Sequence, residues 1–281
     1  MLRKVMKYDC RAVFRLWWIA AVVTVALSVL GGFAEIVKQN TGNVPDMITS
    51  SAGMILFFAY FCLFGLLLLS EVLIFIRFYR NFFTDEGYLT FTLPVKRRTL
   101  LLSKTINAFI WSFLHVVLIM VCVLIILIAV PSDDNGLAIV DFFKGLGTVT
   151  ELAFSWGGAW VAVFLFEYLL FIIVSTVFSI SLIQFCITLG ATIVKRAKVI
   201  TAIGIYYGAN MIISSVTQVF GTFGIISIGN GYGKLLENAS FNVSVAAIAL
   251  TALVIILMIS AITSILYFVT LGTLERRLNL A

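Results

Sequence analysis

Six long apolar runs, nearly free of charge and separated by short polar segments, decide what this 281-residue chain can become. They cover Leu16–Val37, Met54–Ile76, Thr99–Val130, Trp156–Val194, Val199–Ile226 and Val243–Leu271. An α-helix needs about 20 apolar residues to cross the hydrocarbon core of a bilayer, and each run meets that length. All three prolines, Pro45, Pro94 and Pro131, fall between runs. The runs are therefore predicted to be continuous helices, because a proline inside one would delete a backbone hydrogen bond that lipid cannot replace. The fourth run has length to spare for one span and too little for two spans and a turn, so one tilted helix projecting beyond the membrane is predicted.

The composition agrees. Hydrophobic residues make up 62% of the chain and charged residues 11%, against about 25% charged in a soluble domain. This excludes a water-soluble globule and predicts an all-α polytopic membrane protein. The basic balance, +6 at neutral pH, does not point to nucleic acid. The basic residues sit in short blocks between apolar runs, where anionic lipid headgroups are the natural counter-charge. With the two terminal segments included and the segment before run three taken to Lys104, sixteen of the nineteen Lys and Arg residues fall in alternate segments. The positive-inside rule places those segments, and with them both termini, in the cytoplasm. No cleavable signal pattern follows the basic start.

Residues 1–15 carry Leu2, Val5, Met6 and Val13 on one helical face and Arg3, Lys4, Lys7, Arg11 and Arg15 elsewhere. That pattern predicts an amphipathic helix lying on a negatively charged inner leaflet. The largest cytoplasmic loop between spans holds a second short element. Thr84 is a candidate N-cap, with Asp85 and Glu86 in the first turn, where the helix dipole favours anions. Tyr88, Phe91 and Val95 follow at helical spacing, and Pro94 limits the helix to about two turns. Such a helix can rest its aromatics in the headgroups or present them to a cytoplasmic partner.

Here the stretch RFYRNFFTDEGYLTFTLPVKRRTLLLSK, Arg77–Lys104, resembles the first cytoplasmic loop of bacterial ATP-binding-cassette exporter permeases of the type-2 class. The start MLRKVMKYDCRAVFR and the end YFVTLGTLERRLNLA are similar to the same family's termini, and the six-run layout matches over the whole chain. The resemblance implies a bacterial plasma-membrane location and a dimer of six-span subunits, the second copy identical or paralogous. It also implies a separate ATPase subunit docked on a coupling helix, which would be residues 84–93. Thr84, Asp85, Glu86, Tyr88 and Phe91 would then be docking residues, and the N-terminal segment would also brace the ATPase. Small helical elements on the outer side, in Phe220–Phe241, are implied as well.

No GxxxxGK[ST] motif occurs. The string GNGYGK lacks its spacing and its Ser/Thr, so ATP and magnesium are expected on the partner, with no cofactor in this chain. His115 is the only histidine, which leaves no His-based metal cluster, and no GxSxG nucleophile motif appears. The chain is thus not expected to be an enzyme. Cys10, Cys62, Cys122 and Cys186 form no CxxC pair and read as small buried hydrophobes. The two N-x-S sequons at Asn238 and Asn242 carry no meaning in a bacterial protein.

Ionisable and polar groups within the runs ask for a reason, since a charge at mid-membrane costs about 3 kcal/mol on insertion scales. Glu167 shares an i+4 row with Ser175 and Ser179. Ser103, Asn107, Trp111 and His115 repeat every four residues in run three, as do Asn210, Ser214 and Gln218 in run five. These rows either glue helices together or line a substrate path, with Glu167, His115, Asn107, Asn210 and Gln218 as the path candidates. Glu71 is near the cytoplasmic end of run two, within reach of basic residues. Gly204 and Gly208 have the spacing of a close helix contact. A different function, proton-coupled secondary transport through Glu167 and His115, needs no ATPase. Neither does a membrane scaffold without cargo. The sparse charge of the bundle favours amphipathic cargo such as a peptide, lipid or drug.

Overall fold

The computed structural model describes residues 2–40, 46–92, 94–129, 138–194, 197–227 and 241–276. They are almost entirely helical, with no strand among them. In chain order the helices are α1 (Leu2–Asn40), α2 (Asp46–Phe83), α3 (Asp85–Thr92), α4 (Arg97–Ala129), α5 (Ala138–Gly157), α6 (Trp160–Ile193), α7 (Lys198–Ser227) and α8 (Phe241–Arg276). Four stretches among the described residues are long and apolar enough to cross a membrane: Trp17–Ala34, Arg97–Ile128, Trp160–Ile193 and Val245–Glu275. They lie in α1, α4, α6 and α8. The chain is thus a helical protein of multi-pass, membrane-embedded character.

Three expectations change. The amphipathic segment 1–15 is not a separate element, since α1 runs unbroken from Leu2 to Asn40. No proline or glycine interrupts that sequence before Gly31, so nothing stops the helix at the first apolar residue. The segment before run four is not simply a loop, because α5 occupies 138–157. Run four itself divides. Its first residues belong to α5, which ends where Gly158 takes φ +52° and donates its N–H to the Phe154 carbonyl at 2.9 Å. That left-handed residue after a last helical turn is what glycine supplies at a helix C-terminus. The remainder is a single 34-residue helix, α6. Pro94 lies in the bend between α3 and α4. Pro45, Pro131 and residues 228–240 are outside the described residues, and α7 continues through Ser227 into the segment expected to carry small outer helices.

The chain divides into two compact units, Met1–Phe78 with Leu102–Gly158, and Tyr79–Leu101 with Ala159–Ala281. In the first, a core of Ala59, Leu63, Cys122 and Ile126, with Val25, Leu118 and Ile119 against it, joins α1, α2 and α4. In the second, α6 packs on both α7 and α8. The α6–α7 approach is close at Gly190, where a Cβ would come within 2.7 Å of the Ala202 backbone nitrogen. The Gly204 and Gly208 pair faces open space instead, so it is not the close contact of this unit.

Candidate functional site

The short helix α3 begins one residue later than expected, at Asp85. Thr84 does not cap it with its side chain. The hydroxyl turns back and donates to the Arg80 carbonyl at 2.7 Å, closing α2, while the Thr84 carbonyl accepts the Gly87 N–H at 2.7 Å. At the end of a helix a threonine hydroxyl can reach the carbonyl four residues back instead of a donor ahead of it. Glu86 forms an ion pair with Arg80 at the half-exposed surface. Phe91 is half-buried, its ring centroid 5.6 Å from that of Phe82 and the Arg97 guanidinium 5.3 Å above its face. Gly87 is buried so tightly that a Cβ would lie 2.8 Å from the Phe82 carbonyl oxygen. The side chains of Asp85 and Tyr88, and the whole of Leu93, are outside the described residues.

Arg97 also donates to the carbonyls of Leu274 and Glu275, the latter at 3.0 Å. Those carbonyls belong to the last turn of α8, which has no intrahelical donors for them and carries partial negative charge. The Tyr267 hydroxyl reaches the Arg98 carbonyl at 3.5 Å. One arginine thus fastens the α3–α4 corner to the end of α8 and covers the one apolar ring of α3 that the structure describes. No local pattern in the sequence reveals this contact, whose partner lies 177 residues away.

In the first unit the polar row of α4 does share one face, and that face is buried: Ser103, Asn107, Trp111 and His115. Its partner is the start of α1. Cys10 donates its thiol to the Asn107 Oδ1 at 2.8 Å. The Trp17 ring meets that of Trp111 at a tilt, 5.4 Å between centroids, and stands edge-on to His115 at 5.7 Å. His115 Nδ1 lies 2.7 Å from the Trp111 carbonyl, while its Nε2 has no partner. Sequence reading passed over Asp9, the acid in an otherwise basic first segment. It is buried, 2.5 Å from Lys104 Nζ and 3.8 Å from the Arg77 guanidinium. Its isolation among cations was the available signal. Burial, and then the Asp9 charge, push the Cys10 thiol above the ordinary 9.0.

In the second unit Glu167 is buried on α6, and its Oε2 has no hydrogen-bond partner. It lines an open groove of about 430 Å³ between α6 and α8, with Phe164, Tyr168, Phe171, Ala252, Ile255 and Ile256. Its row companions do not join it, because Ser175 and Ser179 donate to carbonyls of their own helix. Asn210 and Ser214 on α7 do the same, and Gln218 is exposed. Glu71 lies in α2, its side chain outside the described residues. Within the units, the structure therefore joins Asn107 to His115 on one buried face and places Glu167 in a groove that holds no other path candidate. No group of metal-ligating side chains occurs among the described residues. Comparison with protein-family models, curated proteins and solved structures found no match.

Proposed function

We propose that the chain is the permease subunit of an ATP-driven exporter of the ATP-binding-cassette type, with six spans and α3 as its coupling helix. It would lie in a bacterial plasma membrane with both termini cytoplasmic, as one of two permease subunits, and the ATP and magnesium would be held by a separate ATPase. The observation that supports this reading most is the mounting of α3. A two-turn helix has little stability in isolation. Here it is fixed at both ends by long helices, wedged on Phe82 through Gly87, and clamped through Phe91 and Arg97 to the end of α8. A helix that only rested its aromatics on lipid would not need this support.

The mounting redistributes the expected roles. Phe91 and Glu86 are engaged within the chain, by Phe82 and Arg97 and by Arg80 respectively, and so position α3. Direct contact with the ATPase falls to Asp85 and Tyr88. Through Arg97, movement of α3 would pass to α8 as well as to α2 and α4.

The test is affinity purification of the tagged chain from its native membrane. A subunit bearing GxxxxGK[ST] should co-purify, and the complex should hydrolyse ATP. Asp85→Lys with Tyr88→Ala should lower ATPase retention by tenfold or more, and Gly87→Ala, which displaces α3 bodily, should do the same. Recovery of the intact chain with no ATP-hydrolysing partner would refute the reading.

A further inference from the structure

We propose that the α6–α8 groove is a binding site for a lipophilic monovalent cation, with Glu167 as its counter-charge. This deepens the exporter reading by naming a cargo class, but it stands on a separate set of residues. The carboxylate is more than nine-tenths buried, and its Oε2 is unpartnered. It sits seven residues into α6, roughly 10 Å along the helix from Trp160. Bare carboxylates are rare in apolar helices, because an unsatisfied buried acceptor carries its whole desolvation cost.

The rest of the groove has the chemistry to offset that cost from the ligand side. Its remaining lining residues offer no further charge: Phe164, Tyr168 and Phe171 supply rings, and Ala252, Ile255 and Ile256 an aliphatic wall. Aromatic faces attract a cation whose hydration is weak, and apolar walls take its hydrocarbon substituents. A hydrated metal ion would find only the Tyr168 hydroxyl as a further side-chain oxygen, against the roughly six that hard cations take. A neutral amphipath could at best hydrogen-bond the carboxylate and would leave its charge unopposed, and an anion would be repelled. Only a bulky organic cation answers both the charge and the walls. The volume of about 430 Å³ suits a single ligand of drug-like size. Tyr168 and Phe171 are exposed, so the groove opens laterally to what surrounds α6, the side from which a membrane-dissolved cation would enter.

The test is equilibrium binding of radiolabelled tetraphenylphosphonium to the purified full chain in detergent, without any ATPase. Wild type should bind about one cation per chain. Glu167→Gln should weaken binding more than tenfold, and Glu167→Asp should retain it in part. Ala252→Leu, which keeps the acid and fills the groove, should weaken binding too, and it carries the test if Glu167→Gln fails to fold. Competition by tetraphenylborate or by neutral tetraphenylmethane equal to that of unlabelled tetraphenylphosphonium would assign the groove to acyl chains and overturn the proposal. Binding unchanged in Glu167→Gln, or absent from wild type, would overturn it as well. Cation binding without a co-purifying ATPase would leave the site standing and remove the exporter. An ATPase partner without cation binding would do the reverse.

Discussion

Asp9 is the residue whose replacement the structure makes most informative. It is buried between Lys104 at 2.5 Å and Arg77 at 3.8 Å, and so ties the start of α1 to α4 and α2. A buried pair adds little net stability over an apolar pair, but removing one partner strands the other charge. Asp9→Asn is therefore expected to destabilise the first unit by about 3 kcal/mol. Lys104→Met should cost less, because Arg77 still faces Asp9. The double variant should recover a large part of the loss. Thermal unfolding in detergent checks this, and strictly additive effects of the two changes would show that the pair is not coupled. The same acid acts on Cys10. A thiol pushed above 9.0 stays protonated to higher pH, and the thiolate is the reactive form. The sign follows: the stabilisation from this group is complete below the ordinary thiol range and is lost as pH rises through the raised pKa. Alkylation of Cys10 by N-ethylmaleimide, followed by peptide mass spectrometry, should therefore reach half its limiting rate at a higher pH than a free thiol. Asp9→Asn should move that midpoint down. A slow rate with an unshifted midpoint would mean that the thiol is only sterically shielded.

Elements meet where glycine allows it, and the two kinds of glycine in α6 and α7 behave differently. Gly190 lies against the Ala202 backbone with no room for a methyl group, whereas Gly204 and Gly208 have nothing within 4 Å of a Cβ. Gly190→Ala should force the α6–α7 hairpin apart at a cost of about 1–3 kcal/mol, as overpacking does. Gly204→Ala should be neutral or raise helix stability by a few tenths of a kcal/mol. Paired melting curves decide it, and equal losses from the two would contradict the packing described. This pair also shows what was legible in the sequence. Spacing drew attention to Gly204 and Gly208, but spacing reports which residues share a face and not what that face meets. The Gly157–Gly158 dipeptide before Trp160 did mark a helix end, and the long apolar runs hid it. α5 carried its own signal in Ile139, Phe142, Phe143 and Leu146 at helical spacing, diluted by Gly145, Gly147 and three charged residues. The buried row of α4 was legible because a polar repeat at i+4 inside an apolar run can only share a face. The Arg97 clamp on α8 was not, because it joins segments that no local pattern relates.

At the scale of the whole chain, apolar length fixed the helices but not their ends. α1, α2, α4 and α8 each exceed 32 residues, or roughly 48 Å, against a hydrocarbon core of about 30 Å. In α1, α2 and α8 the helix continues a turn or more beyond its apolar run, which is why residues 2–15 join α1. Those protruding ends make orientation testable. The lopsided distribution of Lys and Arg predicts that the α3–α4 corner faces the cytoplasm and α5 the outside. Lys144 on α5 and Arg98 at the start of α4 are both exposed, and neither is part of the Arg97 clamp or the Asp9 cluster. In a variant with the four native cysteines replaced by serine or alanine, Lys144→Cys should react with an impermeant maleimide in sealed cells. Arg98→Cys should react only after lysis. The native charges make the experiment more than a formality. Asp141 lies 3.9 Å from Lys144, so the α5 surface has little net positive charge to hold it inside, while Lys96, Arg97 and Arg98 are consecutive cations. Labelling of Arg98→Cys in sealed cells would invert the chain and place α3 where no ATPase could reach it. Labelling of both positions in sealed cells would show instead that the chain is inserted in both orientations.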